Sequence, residues 1–211
     1  MNGDERTLHR LEAFSDIVIG FCIAEMGLNL VVPKTAAQLP SIVIGTDGFV
    51  TSFVLIAIVW WIHHRVFKSI FVLNTAMVIV NFAMLGALVL MVYFQQICVH
   101  LIAIGDDVTV AVQLWLVSYS VVYALVAVML WYGLRVRWRM LSEDDLRWAF
   151  GRAALVSLGS LIFIAYALIF KYRVHSSELF LILAVVIVAA RFAVNGVVSR
   201  VISRRAPAVP S

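Results

Sequence analysis

Six apolar runs divide the chain, and each is long enough to form a membrane-spanning helix, which needs about 20 residues to cross the hydrocarbon layer. The runs cover residues 14–32, 41–63, 69–94, 108–132, 149–170 and 179–198. Charged residues concentrate between the runs, and none of the 4 prolines interrupts the core of one. The pattern therefore predicts an all-α integral membrane protein, with six transmembrane helices in a single domain over residues 1–211.

The composition supports this prediction. The chain is 64% hydrophobic and 13% charged, whereas a water-soluble domain carries about 25% charged residues. Asp16 and Glu25 interrupt the first run, so we expect this run to belong to the mature protein and not to a cleavable signal peptide. A soluble enzyme is excluded by the shortage of charge.

The distribution of positive charge predicts the orientation in the membrane. All of the 16 Lys and Arg residues lie on one side of the predicted bundle except Lys34, Lys171 and Arg173. Positively charged loops stay in the cytoplasm. We therefore expect a multi-pass protein of the cell membrane with both termini cytoplasmic. This topology accounts for the basic composition without a nucleic-acid partner.

A helix start is predicted between the fourth and fifth runs. Ser142 is followed three positions later by Asp145, with Glu143 and Asp144 between them. This spacing is typical of a capping box, in which carboxylates also favour the positive end of the helix. The fifth helix is expected to begin at Ser142.

The first run carries three polar side chains, Asp16, Glu25 and Asn29. A charged side chain at the membrane centre costs about 2.5–3.5 kcal/mol on insertion scales, so each needs a partner, a water path or a function. Glu25 and Asn29 are four residues apart, which brings them within hydrogen-bonding reach on a helix. Glu25 has two interpretations: a protonated carboxyl bonded inside the bundle, or a carboxylate lining a water-filled path.

Two neighbouring stripes run along the first predicted helix when residues are placed about 100° apart. The apolar stripe contains Ile17, Phe21, Ala24 and Leu28, and the small-residue stripe contains Ala13, Gly20, Ala24 and Gly27. Small residues at such spacings let helix backbones approach closely in lipid. We therefore expect the first helix to be deeply buried.

Asp16 needs a partner from another helix. Arg10 lies six positions away, on a different side of the helix, and cannot reach it. Trp60 and His64, at the end of the second run, share a helix face, and both can donate hydrogen bonds to a carboxylate. The adjacent His63 and His64 are weak evidence for a metal or haem, because no Cys or acidic residue completes a ligand set locally. We expect no metal and no cofactor.

Polar residues of the other runs have simpler interpretations. Asn74 and Asn81 are seven apart, which predicts a shared polar face on the third helix that hydrogen-bonds to other helices. Asp47 and Gly48, near the start of the second run, are interpreted as a solvated turn.

Two motifs resemble the bacterial members of the transmembrane protein 175 family, relatives of the lysosomal potassium channel of that name. The first is Arg10-Leu-Glu-Ala-Phe14-Ser15-Asp16, and the second is Ser52-Phe53 followed by Trp60-Trp61-Ile62-His63-His64-Arg65-Val66-Phe67. The ordered match covers the first three helices, and the second half agrees only in hydropathy and topology.

The resemblance implies a homotetramer of six-helix subunits around a central cation pathway lined by the first helix. It implies anchors at the inner mouth, where Arg10, Phe14, Ser15 and Asp16 are tied to Trp60 and His64. It also implies a pore constriction at Phe21, Glu25 and Leu28, with Ala24 beside them. This chain departs from the family, in which Ile, Thr and Leu are common at positions 21, 24 and 25.

The resemblance thus implies a potassium-permeable cation channel with a hydrophobic constriction, whose partners are its own copies, the lipid bilayer and monovalent cations such as K⁺. The alternative is a proton-coupled secondary transporter that uses Glu25, since buried carboxylates serve as proton relays. Such transporters often contain inverted repeats. The first-helix motif is not repeated in the second half of this chain, which argues against the transporter. A membrane enzyme using His63, His64 and Asp16 lacks a nucleophile, a metal set and a phosphate loop, so we predict no enzyme activity.

Overall fold

The computed structural model describes residues 3–30, 32, 35 and 39–169. These residues form five α-helices, and no strand occurs among them. The helices are α1 (Gly3–Leu28), α2 (Leu39–Ser69), α3 (Thr75–Ile104), α4 (Thr109–Arg137) and α5 (Glu143–Ile169). The predicted sixth run, 179–198, and both chain termini lie outside the described residues. The all-helical prediction is confirmed for the described part of the chain.

The helices differ in length from the apolar runs. α1 begins at Gly3, well before residue 14, and α3 continues to Ile104, beyond residue 94. An apolar run measures the hydrocarbon thickness, whereas the helix continues into the polar layers. α3 begins later than predicted because Asn74 caps it, its side chain accepting a hydrogen bond of 2.8 Å from the backbone N–H of Met77.

The interpretation of Asp47 and Gly48 as a turn is wrong, because α2 runs through both residues. Gly48 serves a close helix contact, as a Cβ atom at this position would lie 3.2 Å from Cγ2 of Val99 on α3. The Gln95 side chain also donates a hydrogen bond of 2.7 Å to the Gly48 carbonyl. The local sequence favours a turn, but contact with α3 keeps the segment helical.

The start of α5 is confirmed. The backbone N–H of Asp145 donates a hydrogen bond of 3.1 Å to Oγ of Ser142. The Ser142 hydroxyl in turn donates to the Asp145 carboxylate over 2.8 Å. Asp145 therefore binds the capping hydroxyl and not the capping backbone N–H that a full capping box would use.

α1 packs against α2 and α3, while α4 lies between α3 and α5. One end of the bundle, here called the basic end, contains the end of α2, the start of α3, the end of α4 and the start of α5. There the Arg65 guanidinium lies 4.6 Å from the ring centroid of Trp148 and 3.7 Å from the Asp145 carboxylate. These contacts join α2 to α5.

Four described segments are long and apolar enough to cross a membrane: Gly48–Ser69 of α2, and α3, α4 and α5. α1 is not among them, because its apolar half contains Glu12, Asp16 and Glu25. These features fit a multi-pass membrane protein. They also single out α1 as the helix least suited to contact lipid.

Candidate functional site: the exposed face of α1

One face of α1 forms the contact with the rest of the chain. Its buried residues are Leu11, Ser15, Ile19, Cys22 and Met26, which recur at helical spacing. Because these residues all lie on one side of the helix, the opposite face of α1 does not contact α2 or α3.

The apolar stripe predicted from the sequence lies on that exposed face. Ile17 is 57% exposed, Phe21 71% and Leu28 81%. Ala24 is also exposed, and nothing lies within 4 Å of a Cβ atom built at Gly20. The expectation that α1 is deeply buried is therefore wrong within one chain, because α2 and α3 contact only its other face.

Glu25 lies exposed beside the apolar stripe. The Asn29 side-chain amide donates a hydrogen bond of 3.1 Å to the Glu25 carboxylate and one of 2.8 Å to the Glu25 backbone carbonyl. The hydrogen bond expected from the four-residue spacing is confirmed. Since both side chains are exposed in the single chain, the interpretation of Glu25 as a carboxyl bonded inside the bundle loses support.

Asp16 is bonded to the second motif. Nε1 of Trp60 donates a hydrogen bond of 2.9 Å to Oδ1 of Asp16. Asp16 is half-buried on the flank of α1 that faces α2. The position expected for a partner of Asp16, at the end of α2, is confirmed for Trp60.

His64 binds a different carboxylate, that of Glu12. Its Nδ1 lies 3.0 Å from Oε1 of Glu12, and its ring stacks on Trp60 with centroids 5.9 Å apart. The two helices run in opposite directions, so the residue one turn after Trp60 meets the residue one turn before Asp16. Glu12 was not predicted as the partner of His64. The signal was present in the sequence, because Glu12 lies four residues before Asp16 and His64 lies four residues after Trp60.

A second set of hydrogen bonds crosses three helices in the core. Nδ2 of Asn81 on α3 donates to Oγ of Ser15 over 3.0 Å, and Oδ1 of Asn81 accepts from Nε2 of His63 over 2.8 Å. Ser15 donates to the Leu11 carbonyl over 2.8 Å. Ser15, His63 and Asn81 are fully buried. This array fixes the rotation of α1 against α2 and α3.

His63 belongs to this site, although it was not among the residues expected to anchor the inner mouth. Adjacent residues on a helix point about 100° apart, so His63 and His64 must contact different neighbours. His63 continues the buried stripe of Ile56, Val59 and Val66, whereas His64 is only partly buried. That apolar periodicity was the available signal for a core histidine.

The remaining predicted residues have separate positions. Phe14 is 47% exposed, and its ring packs edge-on against Phe82 at 5.6 Å. Arg10 is exposed, and its side chain pairs with no residue in the described ranges. The predicted face shared by Asn74 and Asn81 is wrong, because Asn74 precedes α3 as its cap and donates to the hydroxyl of Tyr132 on α4 over 2.8 Å. Both asparagines do form the expected interhelical hydrogen bonds.

Metal-ligating side chains are scattered in the described part of the chain. No three of its His, Cys, Asp and Glu residues come together in a way that could hold a metal ion. The chemistry available at this site is thus that of an apolar helix face with one carboxylate beside it.

Comparisons with known proteins agree with this arrangement. Residues 10–91 match the family model described as "Endosomal/lysosomal potassium channel TMEM175". Among solved structures, a crystal structure of a variant of the potassium channel MtTMEM175, in complex with a Nanobody-MBP fusion protein, is similar with a TM-score of 0.61. That similarity has 17% sequence identity and covers 92% of this chain and 93% of that chain. No curated protein sequence matches the chain.

The residues that the family model matches contain both motifs and all of the contacts between them. Residues 10–91 therefore match the TMEM175 family model, and the fold of the chain is similar to that of the solved channel.

Proposed function

We propose that four copies of this chain form a potassium-permeable cation channel in the cell membrane, with a central pore lined by α1. The observation that carries the proposal is the exposed face of α1, where the side chains of Ile17, Phe21 and Leu28 are mostly exposed. The family and the similar structure, both described as potassium channels, support the ionic function.

The polarity of α1 favours a pore over a lipid contact. Glu25 is an exposed carboxylate beside the exposed face, and a carboxylate is costly next to hydrocarbon. When copies of the chain are grouped around an axis, the exposed face of α1 contacts water and the other copies instead of lipid. Closed rotational symmetry is the usual arrangement of identical subunits, and the family resemblance favours four.

Phe21 and Leu28 supply the constriction. They are bulky, are separated by two helical turns, and lie on the same face as the small Ala24. A ring of apolar side chains closes a narrow pore by excluding water from it. Four Phe21 rings narrow this pore more than the isoleucine common in the family.

Glu25 adds a ring of carboxylates next to this constriction. Such a ring favours cations over anions. Asn29, hydrogen-bonded to Glu25, holds each carboxylate in place.

The contacts of Asp16, Ser15 and their partners hold α1 at the inner mouth. They fix the helix through its buried face and flanks, leaving the exposed face to the ions. In this proposal the basic end of the bundle and both chain termini face the cytoplasm, as the positive charges favour.

Ion flux from liposomes containing the purified protein tests the proposal. Under a potassium gradient we expect an ion flux that rises with the gradient without saturating. We also expect the purified protein to have the mass of a tetramer. A proton-coupled transporter, which the exposed Glu25 makes the second candidate, instead gives saturable flux with a fixed ratio of protons to substrate. That result, or silence from a folded tetramer, would contradict the channel.

A further inference from the structure

A cavity of about 570 Å³ opens at the basic end, between the end of α4 and the start of α5. Its lining includes Leu134, Trp131 and Phe150 on the apolar side and Arg135 and Arg139 on the polar side. It lies away from α1, on the opposite side of the α3–α4 contact. The proposed pore makes no use of it.

The two arginines carry charge that the described residues leave unneutralised. Arg135 and Arg139 are exposed, are four residues apart, and form an ion pair with no carboxylate in the ranges that the structure describes. Two of the three acidic residues at the start of α5 have other partners. Glu143 binds Arg147, and Asp145 binds Arg65.

The apolar wall of the cavity is fixed in place. The rings of Trp131 and Phe150 pack edge to face with centroids 5.3 Å apart. Nε1 of Trp131 donates a hydrogen bond of 3.1 Å to Oγ of Ser157, which orients the indole. Leu134 is only 2% exposed and closes the bottom of the cavity. The wall therefore presents a preformed aromatic surface.

The cavity lies where a membrane changes from hydrocarbon to headgroups. α4 is a candidate membrane span that ends at Arg137, so Arg135 and Arg139 flank the end of the span. Trp and Arg are enriched at this depth, where the ring contacts hydrocarbon and the guanidinium contacts phosphate. Arginine binds phosphate oxygens with two parallel hydrogen bonds.

We propose that this cavity binds an anionic phospholipid of the leaflet at the basic end. Arg135 and Arg139 bind its phosphate, and an acyl chain lies along Trp131 and Phe150. Two unneutralised cations select a headgroup with net negative charge over a zwitterionic one, because a choline group next to the phosphate adds a positive charge. A free phosphate would use the arginines alone and leave the aromatic wall without a ligand.

Native mass spectrometry of the detergent-solubilised protein tests this proposal, with titration by phosphatidylglycerol, phosphatidylcholine and soluble glycerol phosphate in separate arms. The expected result is preferential binding of phosphatidylglycerol, weakened about tenfold or more in the R135Q/R139Q double variant. The control is R147Q, which removes a positive charge at the same end but outside the cavity lining.

Three outcomes would overturn the proposal. They are equal binding of both lipids, binding of glycerol phosphate as tight as that of the lipid, and equal weakening by R147Q and by the double variant. Melting of each variant without added lipid establishes that it is folded. The readout requires no ion flux, so it stands or falls separately from the proposed channel.

Discussion

Nε1 of Trp60 donates a hydrogen bond of 2.9 Å to Oδ1 of Asp16, joining residues 44 positions apart in the chain. The bond connects the two motifs that mark the family. It lies at the flank of α1, next to the face left exposed in the single chain. The position of α1 is therefore open to direct test through this pair.

Replacing Trp60 by phenylalanine is expected to lower the free energy of unfolding by about 1–2 kcal/mol, because a hydrogen bond to a charged group is lost. Thermal unfolding of the detergent-solubilised protein measures the effect. W61F is the matched control, since the Trp61 side chain is half-exposed and bonds to no carboxylate in the described residues. Equal destabilisation by both variants would show that the indole ring, and not its bond to Asp16, is what matters.

Replacing Asn81 by leucine is expected to cost about 2–4 kcal/mol, because the buried Ser15 and His63 each lose a hydrogen-bond partner. The same unfolding measurement applies. A double-mutant cycle with S15A provides the control, since residues bonded to each other destabilise less together than the sum of their separate effects. Strict additivity would mean that the Asn81–Ser15 bond contributes nothing.

Replacing Phe21 by alanine is expected to raise potassium conductance severalfold, because a wider and less apolar constriction stays hydrated. Flux from liposomes containing matched amounts of tetramer provides the measurement. F53A is the control, as Phe53 is a partly exposed phenylalanine on α2, at 42% against 71% for Phe21. An unchanged flux in F21A, or an equal increase in F53A, would remove Phe21 from the constriction.

Replacing Glu25 by glutamine is expected to lower the preference for cations over anions. The substitution removes the negative charge while keeping a side chain that hydrogen-bonds to Asn29. D106N is the control, because Asp106 is an exposed carboxylate in the loop between α3 and α4. If E25Q keeps the cation preference of the original protein, Glu25 does not face the pore.

A cysteine at position 24 is expected to cross-link neighbouring copies, because Ala24 lies on the face assigned to the central pore. Non-reducing electrophoresis after oxidation of A24C in membranes measures the covalent dimers. I79C is the control, since Ile79 is 62% exposed on α3 and lies off that face. The native Cys22 and Cys98 are buried and do not compete. Cross-linking of I79C alone would assign the contact between copies to α3.

Apolar periodicity was sufficient to predict the five described helices and to group Ile17, Phe21, Ala24 and Leu28 on one stripe of α1, because both depend on residues close in sequence. It did not predict that this stripe is exposed, since exposure depends on which face of α1 contacts the other helices. It did not predict the pairing of Asn81 with Ser15 and His63, since that pairing depends on how three helices rotate against one another. The same limit explains Glu12, whose partner is set by the antiparallel register of α1 and α2. Helix ends were missed where polar residues extend a helix beyond the apolar run, as at Gly3.

The acidic character of α1 has a consequence for biogenesis. A helix with Asp16 and Glu25 in its apolar half is a poor substrate for insertion by the translocon, where each costs about 2.5–3.5 kcal/mol at the centre. Trp60 supplies a donor for Asp16 only when α2 has been synthesised. We therefore expect α1 to enter the membrane together with α2, as a hairpin.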